Sequence, residues 1–268
     1  MIIDTLLLLG LTALIFGVLI VFISRKFAVK ENPLIGQLEK ALPGANCGAC
    51  GYASCNALAV ALAAGDAAAN ACAVGGEATA EKVAKLLGVS ASAQEKKVAR
   101  VNCSCGPLPG AIKYEYTGVE TCAAAALVDG GPKQCVFGCV GFGDCVAACQ
   151  FDAIHIKEFG YPPEVDEDKC TACGMCVEAC PKDIIDLVPV NKKVYVKCNS
   201  NDNGAVAKKS CSTNPCIGCR LCEKACEYDA IHVTDFLAKI DYTKCTNCEA
   251  CVKVCPTKSI VSLVEHNE

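Results

Sequence analysis

Eight cysteines near the C-terminus fall into two runs, Cys216, Cys219, Cys222, Cys226 and Cys245, Cys248, Cys251, Cys255, each spaced C-x2-C-x2-C-x3-C. In such a run three thiolates wrap one face of a cubane [4Fe-4S] centre, and the fourth lies beyond the reach of that loop and serves a second centre. The spacing therefore predicts a crossed pair: Cys216, Cys219, Cys222 and Cys255 on one centre, Cys245, Cys248, Cys251 and Cys226 on the other. Small residues between the ligands, such as Gly218, let backbone N–H groups approach the sulfides. Zinc ribbons would show separated C-x2-C pairs instead of triplets.

The same phrase recurs upstream with a period of about 76 residues, so tandem modules are expected. Cys139 answers Cys216, Cys170 answers Cys245, and "FDAIHI" answers "YDAIHV". Within each module a shorter unit repeats, giving "ACQFDAI", "ACPKDII", "ACEYDAI" and "VCPTKSI": a tight cysteine loop, a helical turn and a few β-prone residues. Cys170, Cys173, Cys176 and Cys149 are spaced for one centre. Its partner is irregular, because alignment of Cys139 and Cys145 with Cys216 and Cys222 places Phe142 where Cys219 stands. Cys135 is the nearest substitute, which gives Cys135, Cys139, Cys145 and Cys180. Gln150 and Glu227 replace the proline that follows the fourth cysteine elsewhere, a local turn difference without functional weight.

A further group, "GANCGACGYASC" with Cys72, offers Cys47, Cys50, Cys55 and Cys72. Five centres use twenty of the 25 cysteines and leave Cys103, Cys105, Cys122, Cys198 and Cys211. "VNC" at Cys103 resembles "VKC" at Cys198, and "KQC" at Cys135 resembles "KSC" at Cys211. Cys103, Cys122, Cys198 and Cys211 are thus candidates for a sixth centre, with the role of Cys105 open. The alternative is that the leftover thiols are buried or free, since cysteine packs as a small hydrophobe.

The elements that position these thiols give an α+β chain of 268 residues. "IIDTLLLLGLTALIFGVLIVFI" carries one charge, Asp4, and as a helix would be ~33 Å long, enough to span a bilayer. It lacks the basic n-region, shorter apolar run and small-residue cleavage site of a signal peptide, so a retained anchor is expected over residues 1–30. Arg25, Lys26 and Lys30 follow it and place that end in the cytoplasm, where disulfides are disfavoured and metal thiolates favoured. A small helical [4Fe-4S] domain is expected over 31–89, with an alanine-rich helix between Cys55 and Cys72. A second helix, over about Thr79–Leu87, puts Val83, Leu86 and Leu87 on one face and stops at Gly88. "SASAQEKK" reads as a linker over 90–100. Tandem ferredoxin-like modules are expected over 101–190 and 191–268. Tryptophan is absent, so inorganic centres are expected to staple modest cores. A net charge of −4 carries no nucleic-acid signal.

The single anchor, the "GANCGACGYASC" motif with Cys72 and the tandem ferredoxin motifs closely resemble the B subunit of the Rnf complex, in its long form from anaerobic bacteria. The resemblance covers essentially the whole chain, and the N-terminal motif is its most specific part. It implies an electron-transfer subunit of a membrane-bound ferredoxin:NAD+ oxidoreductase that couples electron flow to Na+ or H+ translocation. Soluble ferredoxin, the membrane and the other Rnf subunits are the implied partners.

Other features fit that division of labour. "GFGDCV" lacks the last glycine of a dinucleotide fingerprint and sits inside a cysteine loop, and "GGEAT" does not match the family's flavinylation motif, so neither NAD nor flavin is expected on this chain. With Asp4 its only charge, one anchor helix offers no ion path. His155 and His232 hold equivalent repeat positions and are expected to have structural or potential-tuning roles, and His266 lies in a polar tail. Lys192, Lys193, Lys197, Lys208 and Lys209 surround a loop with few acids and form a candidate docking surface for an acidic ferredoxin. Two competing classes are a self-contained reductase using the irregular centre and a non-redox metal scaffold. A membrane-anchored ferredoxin serving another redox complex is a further alternative.

Overall fold

The structure is a computed structural model that describes residues 2–26, 32–90 and 95–264. Lys30, residues 91–94 of the expected linker and His266 lie outside the described residues. Helix α1 spans Ile2–Lys26 and ends on the basic pair Arg25 and Lys26. Its apolar side chains from Leu9 onward are solvent-exposed, and Leu9–Lys26 has a mean hydropathy of 1.9. An unpacked helix of this length and composition is suited to a bilayer.

Three helices form the next unit: α2 (Pro33–Ala41), α3 (Cys55–Ala64) and α4 (Gly76–Leu87). Asn32 caps α2 by accepting the Leu34 N–H at 3.0 Å, and Ser54 caps α3 through the Ala57 N–H at 3.1 Å. Both α3 and α4 end on left-handed glycines, Gly65 (φ 84°) and Gly88 (φ 69°). Leu38, Leu58, Leu62 and Val83 fill the core between them. Val83 faces inward as the periodicity predicts, Leu87 is half-buried, and Leu86 is exposed.

Beyond residue 95 one pattern is built twice. The first copy contains β1 (Lys97–Val101), α5 (Cys122–Ala126), α6 (Asp144–Ala147), β2 (Ile154–His155), β3 (Glu164–Val165), α7 (Met175–Glu178) and β4 (Ile185–Pro189). The second contains β5 (Val194–Val196), α8 (Gly204–Ser210), α9 (Leu221–Ala225), β6 (Ile231–Thr234), β7 (Leu237–Ile240), α10 (Ala250–Lys253) and β8 (Ile260–Ser262). In each copy the outer strands pair antiparallel, Val98 opposite Val188 and Val196 opposite Ile260, and so do the inner strands, Ile154 opposite Val165 and Ile231 opposite Ile240. Strand β1 corrects the expected linker of 90–100 at its C-terminal end. Its sequence KVARV carries two β-branched residues, Ala99 and Val101 are buried in the first copy's core, and Val98 is buried on the opposite face.

The two copies are tied together through Glu167, which accepts from Arg100 Nη1 at 2.6 Å and Lys193 Nζ at 2.8 Å. Arg100 also lies 5.4 Å from the ring centroid of Tyr195 in the second copy. Against burial, which pushes it up, hydrogen bonds from Arg100 and Lys193 hold the Glu167 carboxyl below its usual range. A carboxylate with a depressed folded-state pKa stabilises above its unfolded pKa, and that contribution fades as pH falls through the folded value. Acidification below the usual glutamate range is therefore expected to lower the thermal midpoint of the wild-type chain more than that of Glu167→Gln. Leu38→Ala empties a fully buried site and is expected to cost about 2–5 kcal/mol, read as loss of helical circular dichroism at lower temperature.

Candidate metal centres

Each regular loop turns left-handed on both sides of its middle cysteine. Ala172 (φ 55°) and Gly174 (φ 82°) flank Cys173, Gly218 (φ 65°) and Arg220 (φ 60°) flank Cys219, and Asn247 (φ 61°) and Glu249 (φ 60°) flank Cys248. Such conformations cost about 1–3 kcal/mol at a non-glycine residue. Alternating backbone hand turns N–H groups to one side, the arrangement that lines anion sites. The irregular loop has the same shape, with Gly141 (φ 96°) and Gly143 (φ 89°) on either side of Phe142. Glycine is required at 141, where a Cβ would lie 2.4 Å from the Gly160 Cα.

The segments after the fourth cysteines also share a turn. Asp152, Asp183, Asp229 and Lys258 are all left-handed, with φ of 50°, 49°, 50° and 54°. The turn aims the next amide back at the sulfur: Ala153 N–H donates to Cys149 Sγ at 3.4 Å and Ala230 N–H to Cys226 Sγ at 3.3 Å. Gln150 and Glu227 adopt this turn as Pro181 and Pro256 do, because the conformation is set three residues beyond the cysteine.

Among the described residues, four small apolar hollows each gather four cysteines. The first is lined by Cys47, Cys50, Cys55 and Cys72, with Asn46 Oδ1 accepting the Cys55 N–H at 2.8 Å and fixing the start of α3. The second brings Cys149 to Cys170, Cys173 and Cys176, and the third brings Cys226 to Cys245, Cys248 and Cys251. These are the crossed sets expected from the spacing. Cys216 and Cys222 share a core against which Cys255 packs, and the exposed Cys219 faces Cys222 electrostatically.

The fourth cavity corrects the irregular set. Cys122, and not Cys135, lines it with Cys139, Cys145 and Cys180. Cys122 opens α5, whose first amides are held by Asp144 on the helix carrying Cys145: Oδ1 accepts from Cys122 N–H at 2.8 Å and Oδ2 from Ala123 N–H at 3.0 Å. Thr121 caps the same helix through the Ala124 N–H at 3.2 Å. Phe142, displaced from the ligand position, stacks edge-on between Tyr116 and Phe159. A signal was present in the sequence: the first copy carries a long insertion before Cys135 that has no counterpart in the second, and the insertion contains a cysteine.

Burial raises several of these thiols, and neighbouring thiols add to the shift. Cys145 is pushed up to about 12, with Cys122 and Cys180 next to it, and Cys176 to about 11, with Cys170, Cys173 and Cys149. Cys251 likewise rises to about 11 beside Cys245, Cys248 and Cys226. Cys255 shifts the other way: against burial, hydrogen bonds from the Ser259 hydroxyl and the Ile260 amide bring it below its ordinary value. A sulfur-only donor set with an apolar lining suits soft metal and iron–sulfur chemistry, and loading it releases the thiol protons.

The remaining candidates lie outside these cavities. His155 and His232 sit half-exposed on β2 and β6, where His155 meets the Asp152 carbonyl at 3.1 Å and His232 lies within 3.6 Å of Glu223 and Asp229. Lys192 Nζ donates to the Cys245 carbonyl at 2.5 Å and Lys193 to Glu167, so both have internal partners. Lys197 is half-buried, and Lys208 and Lys209 are exposed at the end of α8. Cys103 and Cys105 belong to the first copy's core with Cys211 packed against it, Cys198 packs against the second copy's core, and Cys135 is buried.

Cys122→Ser is expected to remove about four irons per chain, one cubane's worth. Asp144→Ala is expected to loosen the same centre without removing a ligand, so that anaerobic iron content falls only after mild chelation. Full iron retention in Cys122→Ser would return Cys135 to this site.

Models of known families match three segments: a putative Fe-S cluster motif over residues 42–74, a 4Fe-4S binding domain over 163–186 and a 4Fe-4S dicluster domain over 215–259. The chain thus binds [4Fe-4S] clusters. It is 47% identical over 262 residues to the B subunit of the Na+-translocating ferredoxin:NAD+ oxidoreductase complex of Acetobacterium woodii, covering 97% of this chain and 78% of that one. It is 42% identical over 244 residues to the B subunit of the ion-translocating oxidoreductase complex of Methanosarcina acetivorans, covering 91% and 92%. The B subunit of the proton-translocating ferredoxin:NAD+ oxidoreductase complex of Clostridium ljungdahlii is 43% identical over 255 residues, covering 94% and 89%. At these identities over nearly its full length, the chain belongs to the family of B subunits of ion-translocating ferredoxin:NAD+ oxidoreductase, or Rnf, complexes.

Proposed function

We propose that this chain is the iron–sulfur relay of an Rnf-type membrane complex, taking electrons from reduced ferredoxin and passing them to the subunits that reduce NAD+. The observation that carries the reading is the grouping of cysteines into separate sulfur-only sites along one chain, with no other reactive constellation beside them among the described residues. Bound [4Fe-4S] clusters supply one-electron steps. The protein's part is to hold the thiolates, to direct amides such as those of Ala153 and Ala230 at sulfur, and to keep water from the buried sites.

Five clusters follow from the sets at Cys47/Cys50/Cys55/Cys72, Cys122/Cys139/Cys145/Cys180, Cys149/Cys170/Cys173/Cys176, Cys216/Cys219/Cys222/Cys255 and Cys226/Cys245/Cys248/Cys251. The tandem ferredoxin-like arrangement of the last four agrees with the twofold strand pattern. Cys122 completes the irregular site, which removes the open iron position that a self-contained reductase would need. Helix α1 anchors the chain, and Arg25 and Lys26 at its end favour the cytoplasmic side for everything after it. NAD+ reduction and movement of Na+ or H+ belong to the other members of the complex, because no nucleotide motif or ion path is present in this sequence.

For ferredoxin docking, Lys208 and Lys209 are the exposed members of the lysine group, whereas Lys192 and Lys193 have structural partners. The full chain in detergent, kept anaerobic, is expected to be brown and to develop low-potential paramagnetic signals on mixing with reduced ferredoxin. It should not react with NADH alone. Reversing charge at Lys208 and Lys209 is expected to slow that reduction and flatten its salt dependence. Failure of reduced ferredoxin to reduce the wild-type chain would overturn the relay, and an unchanged salt dependence would remove docking from α8.

A further inference from the structure

The turns that follow Cys149, Cys180, Cys226 and Cys255 share one backbone shape and differ in the residue that ends them. Four residues beyond the cysteine stand Ala153, Ile184, Ala230 and Ser259. The first three are buried and have no hydrogen-bonding group on the side chain. Ser259 is buried as deeply, at 1% exposure, and carries a hydroxyl.

Burial of a hydroxyl is costly unless it finds a hydrogen-bond partner. Here the partner is a ligand sulfur, because Ser259 Oγ lies 3.4 Å from Cys255 Sγ. The Thr257 hydroxyl donates to Ser259 Oγ at 3.4 Å, which leaves the Ser259 proton for the sulfur. A thiolate bound to iron has no proton to give, so in the loaded protein Ser259 donates and Cys255 accepts. Thr257, Ser259 and Cys255 then form a short chain in which each O–H polarises the next.

The backbone holds this chain in place. Lys258 is left-handed (φ 54°), and its N–H donates to the Cys255 carbonyl at 3.2 Å, closing the turn. The Ser259 carbonyl accepts the Lys197 N–H at 2.7 Å, and the next residue, Ile260, pairs with Val196. Ser259 is thus pinned between a closed turn and the start of β8.

We propose that Ser259 raises the reduction potential of the Cys216/Cys219/Cys222/Cys255 centre by donating this hydrogen bond. Adding an electron makes the cluster and its sulfurs more negative, so a donor aimed at Cys255 Sγ stabilises the reduced form more than the oxidised form. The same turn at Cys149 and Cys226 supplies a backbone amide, from Ala153 and Ala230. The hydroxyl is an addition to that shared scaffold, placed on one of the two centres of the second copy. That centre takes one electron from a neighbour, which is oxidised, and holds it more firmly, with no bond made or broken. The proposal rests on the ligand set and the relay proposed above.

The test is redox-titrated paramagnetic resonance on the full chain in detergent, kept anaerobic, with iron and sulfide analysis alongside. The signal that Cys219→Ser removes or alters belongs to this centre. Ser259→Ala introduces the residue that the equivalent turns already hold at Ala153 and Ala230, so full iron content is expected. The midpoint of that one signal is expected to fall by about tenfold in the one-electron equilibrium, or ~59 mV, while the other signals stay in place. Thr257→Val, which removes the outer hydroxyl, should lower the same midpoint by less, and Ser259→Thr, which keeps a donor, should restore it. One exchangeable proton coupled to the cluster in the wild type should be missing from Ser259→Ala. A residue that only closed the turn would move the thermal midpoint and leave the potential alone.

An unchanged midpoint in Ser259→Ala at full iron content would overturn the proposal, as would an equal shift of every signal. Should Ser259→Ala lose iron, Thr257→Val decides at full iron: either the same signal falls or the proposal fails. Unaltered iron and signals in Cys219→Ser would overturn the ligand set and the proposal with it, and near-absence of iron in the wild type would sink the relay itself.

Discussion

A backbone that turns left-handed on both sides of one cysteine is strained, and residues such as Arg220 and Glu249 have no glycine-like freedom to relieve it. Convergence of four sulfurs on a single centre is the constraint that makes such a loop worthwhile. It sets the short helices α6, α7, α9 and α10, each of which begins within a cysteine run or beside it, and it sets the common turn after each fourth cysteine. The small hydrophobic cores of the two copies include several of the ligand thiols themselves. Metal binding and folding are therefore coupled in this chain, since removing a centre removes part of its own core.

The repeat is closely kept in backbone and altered in chemistry at one place. Gly141 and Gly143 preserve the loop shape around Phe142, although the thiol expected at that position is absent. Cys122, on an inserted segment hooked on by Asp144, lines the cavity there, and Phe142 becomes part of an aromatic stack with Tyr116 and Phe159. Both outcomes follow from one displacement. The Phe142 ring packs against the small core of Cys122, Ala125 and Val140, beside the helix N-terminus that carries Cys122.

The contacts between the copies are unlike ordinary surface pairs. Glu167 receives both Arg100 and Lys193, Arg100 is almost fully buried, and Lys133 is a second buried cation, held by the Cys105 and Gly160 carbonyls. Buried charge of this kind is a poor source of net stability, but it penalises any arrangement that leaves it unpaired. The copies are thereby held in one relative position, as a relay needs, because electron passage depends on fixed spacing between centres.

The regular cysteine sets were legible in the sequence, because C-x2-C-x2-C-x3-C is a local constraint: three thiols within seven residues have few ways to converge, and the fourth must go elsewhere. The repeat, the apolar N-terminal helix and the helix stop at Gly88 were legible for the same reason, each being written in adjacent residues. Strand β1 was hidden in a stretch that reads as linker, since its pairing with β4 lies far along the chain. Only the tertiary structure lined the fourth cavity with Cys122 instead of Cys135 and occupied Lys192 and Lys193 internally. Those choices depend on where distant segments return, and sequence spacing limits what one loop can wrap without saying which remote side chain will arrive to finish the shell.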